Sequence, residues 1–328
     1  MKAIVQDTYG SADVLRLMEI PVPAVGEQDV LVRVHAAGVN PGDWHMMTGQ
    51  PYLMRAMGFG LRRPKSRTRG IDVAGRVEAV GAQVTRLAVG DEVFGTADGS
   101  FAEHAVGSER TLVPAPSSLT SVQAAAVPTA GCAALVAVRS TAHVRAGQSV
   151  LVIGAGGGVG SFAVQIALAS GAEVTGLCSS SKVGLVRTLG AQHVVDYTAL
   201  DAAGAPLPAP PGGYDVIIDT GGARPLAALR RILAPRGTLV MVGAEGGDRW
   251  LGGVQHMLLA LAISPFVSQR LRPMMSTERP EHLLALSELA EAGSLVPAID
   301  RTYPLAEAAD AVRHLATGHP AGKVVVTV

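Results

Sequence analysis

Residues 149–169 read Ser149-Val-Leu-Val-Ile153, then Gly154-Ala155-Gly156-Gly157-Gly158-Val159-Gly160, then Ser161-Phe-Ala-Val-Gln-Ile-Ala-Leu-Ala169. Val150–Ile153 is wholly apolar and rich in β-branched residues, the pattern of a buried parallel strand. After Gly160 there is no Gly or Pro until Gly171, which suits a buried helix. Between strand and helix stand five glycines in seven positions. Such a turn lets backbone approach a diphosphate closely and aims helix N-terminal N–H groups at it. Ala155, Gly157 and Gly160 take the three fingerprint positions of a dinucleotide site, and the flanking strand and helix supply the required context. A purely structural turn does not need so many glycines.

The same alternation continues downstream. Glu173–Cys178 is a second apolar strand, followed by a helix that runs through Leu189 and is closed by Gly190. His193–Val195 is a third strand, and Ala202–Gly213, dense in Pro, Gly and Ala, is a surface loop. Val216–Asp219 and Thr238–Val242 are strands with a helix over Pro225–Leu233 between them. Strand–helix alternation of this kind predicts an α/β fold with a doubly wound parallel sheet of the Rossmann type.

Upstream, residues 1–120 are mostly β. Lys2–Val5, Val30–His35, Gly70–Val80 and Asp91–Phe94 are strand-like, and Pro21, Pro23, Gly26, Gly81 and Gly90 break the chain between them. A barrel-like β domain fits. Thr120–Val144 turns helical. Trp250–Leu271 is long and apolar, interrupted at Pro265, and suits a cover over a substrate cleft, a dimer contact or a core helix alike. Arg279–Ala292 and Leu305–Thr317 are amphipathic helices, and Lys323–Val328 is a terminal strand. Residues 52–69 carry Met54, Met57 and Phe59, then Arg62, Arg63, Lys65, Arg67 and Arg69. The cluster reads as a solvated, mobile loop, with an anion site as the alternative.

A chain of 328 residues suits two domains. Hydrophobic residues are 48% and charged ones 16%, which provides a large core and argues against disorder. A formal net charge of zero argues against nucleic acid or an anionic membrane as the main partner. Two cysteines, Cys132 and Cys178, make neither a disulfide framework nor a Cys-rich zinc site. Met1–Val5 shows no signal-peptide h-region. Met257–Ile263, the longest greasy stretch, falls short of the about 20 residues a bilayer requires. A cytoplasmic protein is expected. The lysines are Lys2, Lys65, Lys182 and Lys323, so the placement of the last two invites attention.

Six short motifs occur in order: Ala37-Gly-Val-Asn-Pro-Gly-Asp43, Gly90-Asp-Glu-Val-Phe-Gly95, the Gly154–Gly160 loop, Leu189-Gly-Ala191, Tyr214-Asp-Val216 and Gly322-Lys-Val-Val325. Over essentially the whole chain this resembles the medium-chain dehydrogenase/reductase superfamily, and more narrowly its zinc-lacking quinone oxidoreductase branch. The resemblance implies a GroES-like barrel beside the Rossmann domain, with the C-terminal segment folding back onto the barrel and the active site in the cleft. The expected division is 1–120 for the first part of the GroES-like catalytic domain, 121–265 for the dinucleotide domain and 266–328 for the return. A homodimer is the expected assembly.

Zinc-dependent relatives carry a Cys where this chain has Asn40, and Gly-His-Glu where it has Gly70-Ile71-Asp72. A catalytic zinc needs three N, S or O ligands on a fixed frame. Ile71 cannot ligate, Cys132 lies a few positions beyond the third family ligand, and the four-cysteine structural lobe is missing. No metal is therefore expected, and the nicotinamide carries the hard chemistry. In zinc-free relatives the residue matching Asn40 lies beside nicotinamide and substrate. Asn40 then offers a neutral donor to a substrate carbonyl, or else serves only as a turn residue ahead of Pro41. Asp43 holds that turn through side-chain-to-backbone bonds or packs near the cofactor. Thr129 or Cys132 lines the nicotinamide wall where Ala133 replaces a family threonine. Two residues after the Asn-Pro motif can deliver a proton, His45 and Tyr52. Zinc-free enoyl reductases of the superfamily use a tyrosine close to the spacing of Tyr52, and an exposed loop tyrosine is the plainer alternative.

Cofactor choice is read at the end of the second strand. An NAD site places an acidic residue about 20 residues past the glycines. Here Ser179-Ser-Ser-Lys182 stands there instead, and three hydroxyls with an ammonium suit a 2′-phosphate. Tyr197 matches a family tyrosine at this phosphate. Gly156, Gly157, Gly158 and Val159 are expected on the diphosphate. Thr220, Val242 and Gly243, at the ends of their strands, are expected along the cofactor, and Lys323 near its phosphates or as an ordinary strand-edge lysine. NADPH is the expected cofactor and a quinone, enone or related activated carbonyl compound the expected substrate. A zinc-free alcohol or carbonyl dehydrogenase and a non-enzymatic NADPH-binding protein are the alternatives on the same fold.

Overall fold

The computed structural model describes residues 1–328 except 223, 243–248, 251 and 275–277, and except the side chains of 254 and 256. The chain forms two compact units, Met1–Cys132 with Thr277–Val328, and Ala133–Ser276. These divisions lie C-terminal to the expected ones at 120/121 and 265/266, for two reasons. The helix Ser121–Ala125 packs on strands Asp29–Val39 and Asp72–Val80 of the first unit. The strand Arg270–Met274 joins the sheet of the second.

The sheet of the second unit contains strands β1 (Ser149–Ile153), β2 (Glu173–Cys178), β3 (His193–Asp196), β4 (Tyr214–Asp219), β5 (Leu233–Val242) and β6 (Arg270–Met274). All pairs are parallel, in the order β3-β2-β1-β4-β5-β6. The direction of winding reverses between β1 and β4, the switch point at which Rossmann folds bind ligands. Val150 to Ile153 are buried, as their unbroken apolar run predicts, and Leu151, Ile217, Leu239 and Leu271 meet in one core. The helix Gly158–Ala169 buries Phe162, Ala163, Val164, Ile166 and Ala167.

The first unit is organised on Asp29–Val39, whose two edges are both used. Asp72–Val80 pairs along one edge. The other edge is shared, Asp29–Arg33 taking His104–Ser108 and Ala36–Val39 taking the terminal strand Lys323–Thr327, both antiparallel. Val324 faces Val39 in this register, which sets Lys323 next to Asn40. The C-terminus thus returns as an interior strand, flanked on its other side by Ile299–Pro304, beside a core containing Ile4, Val39, Met47, Phe101, Leu305, Val312 and Val324.

Two expectations are corrected. The stretch 52–69 is not a plain solvated loop. Tyr52–Met54 and Arg55–Phe59 form helical turns, and the Arg55 guanidinium lies 4.3 Å from the ring centre of Tyr9 and 4.7 Å from that of Tyr52. Arg55 also donates to the carbonyls of Gly49 and Thr48, tying the segment to the end of the helix Pro41–Thr48. Arg62, Arg63, Lys65 and Arg67 are exposed, whereas Arg69 is buried. The core-helix reading of 250–271 fails as well. Helix Val254–Ile263 buries Ala260 but leaves Leu258, Leu259 and Leu261 exposed, and Phe266 is 86% exposed.

Candidate active site

In the second unit the glycine loop has the geometry its sequence predicts. Gly157 is the N-cap of the helix Gly158–Ala169. A Cβ on Gly160 would lie 2.0 Å from the Gly154 carbonyl oxygen, so the helix can approach the strand end only without a side chain there. Gly154 has φ +77°, and a Cβ on it would meet the Thr220 hydroxyl. That hydroxyl donates to the Ile153 carbonyl at 2.8 Å, which places Thr220 at the mouth of the loop. The Lys182 stem lies over Gly156, where a Cβ would be 2.7 Å from Lys182 Cβ. Val242 is buried at the end of β5, and Gly243 lies outside the described residues.

The end of β2 differs from its sequence reading in one respect. No carboxylate follows Cys178 in the chain, but β3 brings one alongside, because Asp196 pairs in register with Cys178. Asp196 accepts the Ser180 hydroxyl at 2.6 Å, together with the backbone N–H groups of Thr198 and Ala199. These bonds, Ser180 first, hold its carboxyl below the usual range. Ser179 and Ser181 share a hydroxyl contact. Tyr197 starts the helix capped by Asp196, and the Arg224 guanidinium sits 5.9 Å from its ring centre while pairing with Asp201. Asp196 and Arg224 were missed in the sequence because both arrive through tertiary pairing.

In the first unit Asn40, Asp43, Asp72, Thr129 and Lys323 converge. Asn40 is the N-cap of helix Pro41–Thr48, with Pro41 at the first helical position. Its backbone N–H donates to the Asp43 carboxylate at 2.8 Å, so Asp43 does hold the turn. Burial pushes the Asp43 carboxyl up to about 7, against the pull of that hydrogen bond. Asp72 is fully buried and accepts the Thr129 backbone N–H and hydroxyl. Burial raises its carboxyl, and Lys323 and Thr129 oppose the rise, with a contribution from the nearby Asn40 amide. Lys323 is 3% exposed, so it is not a strand-edge lysine. Its ammonium donates to Val39 O at 3.2 Å and Asn40 Oδ1 at 2.5 Å and stands 4.0 Å from Asp72 Oδ2. Asn40 Nδ2 is buried beside Asp72 and makes no close, well-aligned hydrogen bond.

His45 and Tyr52 are both half-buried. His45 Nδ1 lies 2.7 Å from the Gln50 carbonyl, which can only accept, so Nδ1 carries the proton. Cys132 is buried, and burial pushes its thiol up.

The chain matches the family model described as alcohol dehydrogenase GroES-like domain over residues 26–117, and the one described as zinc-binding dehydrogenase over residues 189–326. It is 30% identical over 339 residues to the chloroplast envelope quinone oxidoreductase homolog of Arabidopsis thaliana, covering 99% of this chain and 98% of that one. This chain belongs to the quinone oxidoreductase-like branch of the medium-chain dehydrogenase/reductase superfamily. It is 32% identical over 341 residues to the NADPH-dependent alkenal/one oxidoreductase, chloroplastic, of the same plant, covering 99% of this chain and 79% of the relative. The quinone oxidoreductase from Coxiella burnetii matches with a TM-score of 0.82 at 29% identity, over 100% of this chain and 99% of that one.

Membership of this branch makes the protein an oxidoreductase that takes a nicotinamide cofactor. The second unit fits such a group, since the cradle at Gly157 would be filled by a Cβ and the helix start behind it favours a diphosphate. Zinc, named in one family description, does not fit. The oxygen of Asn40 is occupied by an ammonium, Ile71 has no ligating atom and the Cys132 thiol is held neutral. Among the described residues no group of three His, Cys, Asp or Glu could hold a metal ion.

Proposed function

We propose that this enzyme reduces quinones, enones or related activated carbonyl compounds with NADPH and without a metal. The observation that carries the reading is Asn40, buried, clamped at its backbone by Asp43, with its amide oxygen taken by Lys323 and its Nδ2 without a well-aligned partner. The relatives named for quinone and alkenal/one reduction support the substrate class. The bound nicotinamide would supply a hydride. A substrate activated by conjugation then needs orientation, a donor to the oxyanion that develops on its carbonyl oxygen, and a proton. Asn40 Nδ2–H is that donor in our reading. A fixed neutral donor in a site shielded from water stabilises the charge without reorganising.

Enone reduction also needs a proton on carbon, and we assign it to Tyr52 in preference to His45, whose Nδ1 proton is given to Gln50. A hydroquinone product takes its proton from solvent. For the cofactor we assign the diphosphate to Gly156, Gly157, Gly158 and Val159, the 2′-phosphate to Ser179, Lys182 and Tyr197, and wall contacts to Pro41, Thr129, Thr220 and Val242. Ser180 joins the phosphate set only by giving up Asp196. The reading also has the enzyme act as a homodimer in the cytoplasm, the exposed leucines 258, 259 and 261 and the outer edge of β6 offering an interface. Light scattering and cell fractionation test these two statements.

The experiment for the reaction is NADPH oxidation by the purified protein with a quinone, an enone and an aldehyde, alongside Tyr52→Phe. Turnover on the quinone and enone is expected, with enone turnover alone falling about 10²-fold in the variant. Good turnover on the aldehyde with none on the conjugated substrates would give the reading to a carbonyl dehydrogenase.

A further inference from the structure

We infer that Lys323 is a positioning residue for the reduction: its buried ammonium takes the Asn40 amide oxygen and so leaves Nδ2 as the end of the amide that can donate. The inference rests on the proposed role of Asn40 and adds what orients it. The sheet delivers the lysine, since the terminal strand pairs Val324 with Val39 and so sets residue 323 beside residue 40. An ammonium has donors only, so the amide atom facing it must be the oxygen. That removes the usual freedom of an asparagine to present either end. Nδ2 is left buried with no well-aligned hydrogen bond, only the nearby Asp72 carboxylate, a state that native structures seldom keep without a use.

The cation is itself held. Asp72 lies 4.0 Å away, and Thr129 gives Asp72 both its N–H and its hydroxyl. The chain Thr129–Asp72–Lys323–Asn40 is therefore a row of donors and acceptors that ends at the Asn40 amide, with Asp72 near that amide as well. A positive charge on the oxygen side of the amide also polarises it and strengthens that N–H as a donor. Val39 O and Asn40 Oδ1 take two of the ammonium's three donors, and Asp72 stands 4.0 Å away, so the lysine is engaged within the protein.

The test is a double-mutant cycle of Asn40→Ala and Lys323→Met, read as kcat on a quinone and an enone, with the Kd for NADPH measured by fluorescence. Asn40→Ala should lower kcat about 10²-fold. Lys323→Met should lower it at least about 10-fold, leave the NADPH Kd unchanged, and cost nothing further in the Asn40→Ala background. Equal losses in both backgrounds overturn the inference while leaving the donor role of Asn40 intact. No loss in Asn40→Ala sinks the donor role, and this inference with it. Should Lys323→Met fold poorly with Asp72 left uncompensated, Lys323→Met/Asp72→Asn removes both charges and takes its place. A readout independent of turnover is the side-chain amide resonance pair of Asn40 in the cofactor-free protein, identified by its loss in Asn40→Ala. It should shift on removal of the ammonium, and an unmoved pair contradicts the inference.

Discussion

The Ser180 hydroxyl donates to Asp196 across the ends of two parallel strands, at 2.6 Å. A negative charge therefore stands beside the segment assigned to the 2′-phosphate, and Lys182 must outweigh it. Lys182→Ala should raise the dissociation constant for NADPH about ten-fold or more, as expected for the loss of a charge-assisted bond. NADH binding should barely change. Asp196→Ser should act the other way and tighten NADPH several-fold, since it removes the charge, frees Ser180 and keeps a hydroxyl acceptor for the helix start. Fluorescence titration of both cofactors checks this, and equal losses for the two in Lys182→Ala contradict it.

Gly160 and Gly157 separate folding from binding. A Cβ on Gly160 meets backbone of Gly154 at 2.0 and 2.7 Å, and neither partner can turn aside. Gly160→Ala should destabilise the protein by about 1–3 kcal/mol or more and abolish cofactor binding. At Gly157 the nearest atom to an added Cβ is 3.3 Å away. Gly157→Ala should keep nearly the native Tm and still weaken cofactor binding, because the new methyl enters the space left for the diphosphate. Thermal denaturation with and without NADPH distinguishes the two outcomes.

Asp43 gives the protein a pH dependence of stability. Its carboxyl is pushed from 3.8 up to about 7 in the folded state, chiefly by burial. Between those values the folded protein holds a proton that the unfolded chain releases. The contribution is therefore complete below about pH 4 and is lost as pH rises through about 7. Asp43→Asn cannot titrate and still accepts the Asn40 N–H. Arg69, Asp72 and Lys323 remain in both proteins, so the difference in Tm reports Asp43 together with its coupling to these three. Wild type should lose ground to the variant from pH 5 to 8, and parallel Tm curves would refute the assignment.

Local patterns made the nucleotide half of the fold legible. The apolar run 150–153, the glycine loop and the helix after it are contiguous, and each follows from its own residues. Strands Arg16–Glu19 and Ile299–Pro304 carry mostly exposed side chains and left no alternating pattern to read. The apolar composition of 254–263 does not reveal which face is covered, and the structure leaves three leucines exposed there. Arg69 looks like the end of a charge run but lies buried under the β-rich unit. The polar cluster was hidden for a different reason. Lys323 and Asn40 are 283 residues apart, and only antiparallel pairing of the last strand joins them. Asp196 reaches Ser180 in the same way, through strand register and not through any motif.

The most direct measurement follows the hydride itself. NADPH carrying deuterium at the transferable C4 position is oxidised by the enzyme with an α,β-unsaturated ketone, and the product is examined by NMR and mass spectrometry. The account predicts one deuterium at the β-carbon and an intact carbonyl group, the outcome of conjugate reduction with Asn40 stabilising the enolate oxygen. Deuterium on the carbonyl carbon, giving an unsaturated alcohol, would contradict it.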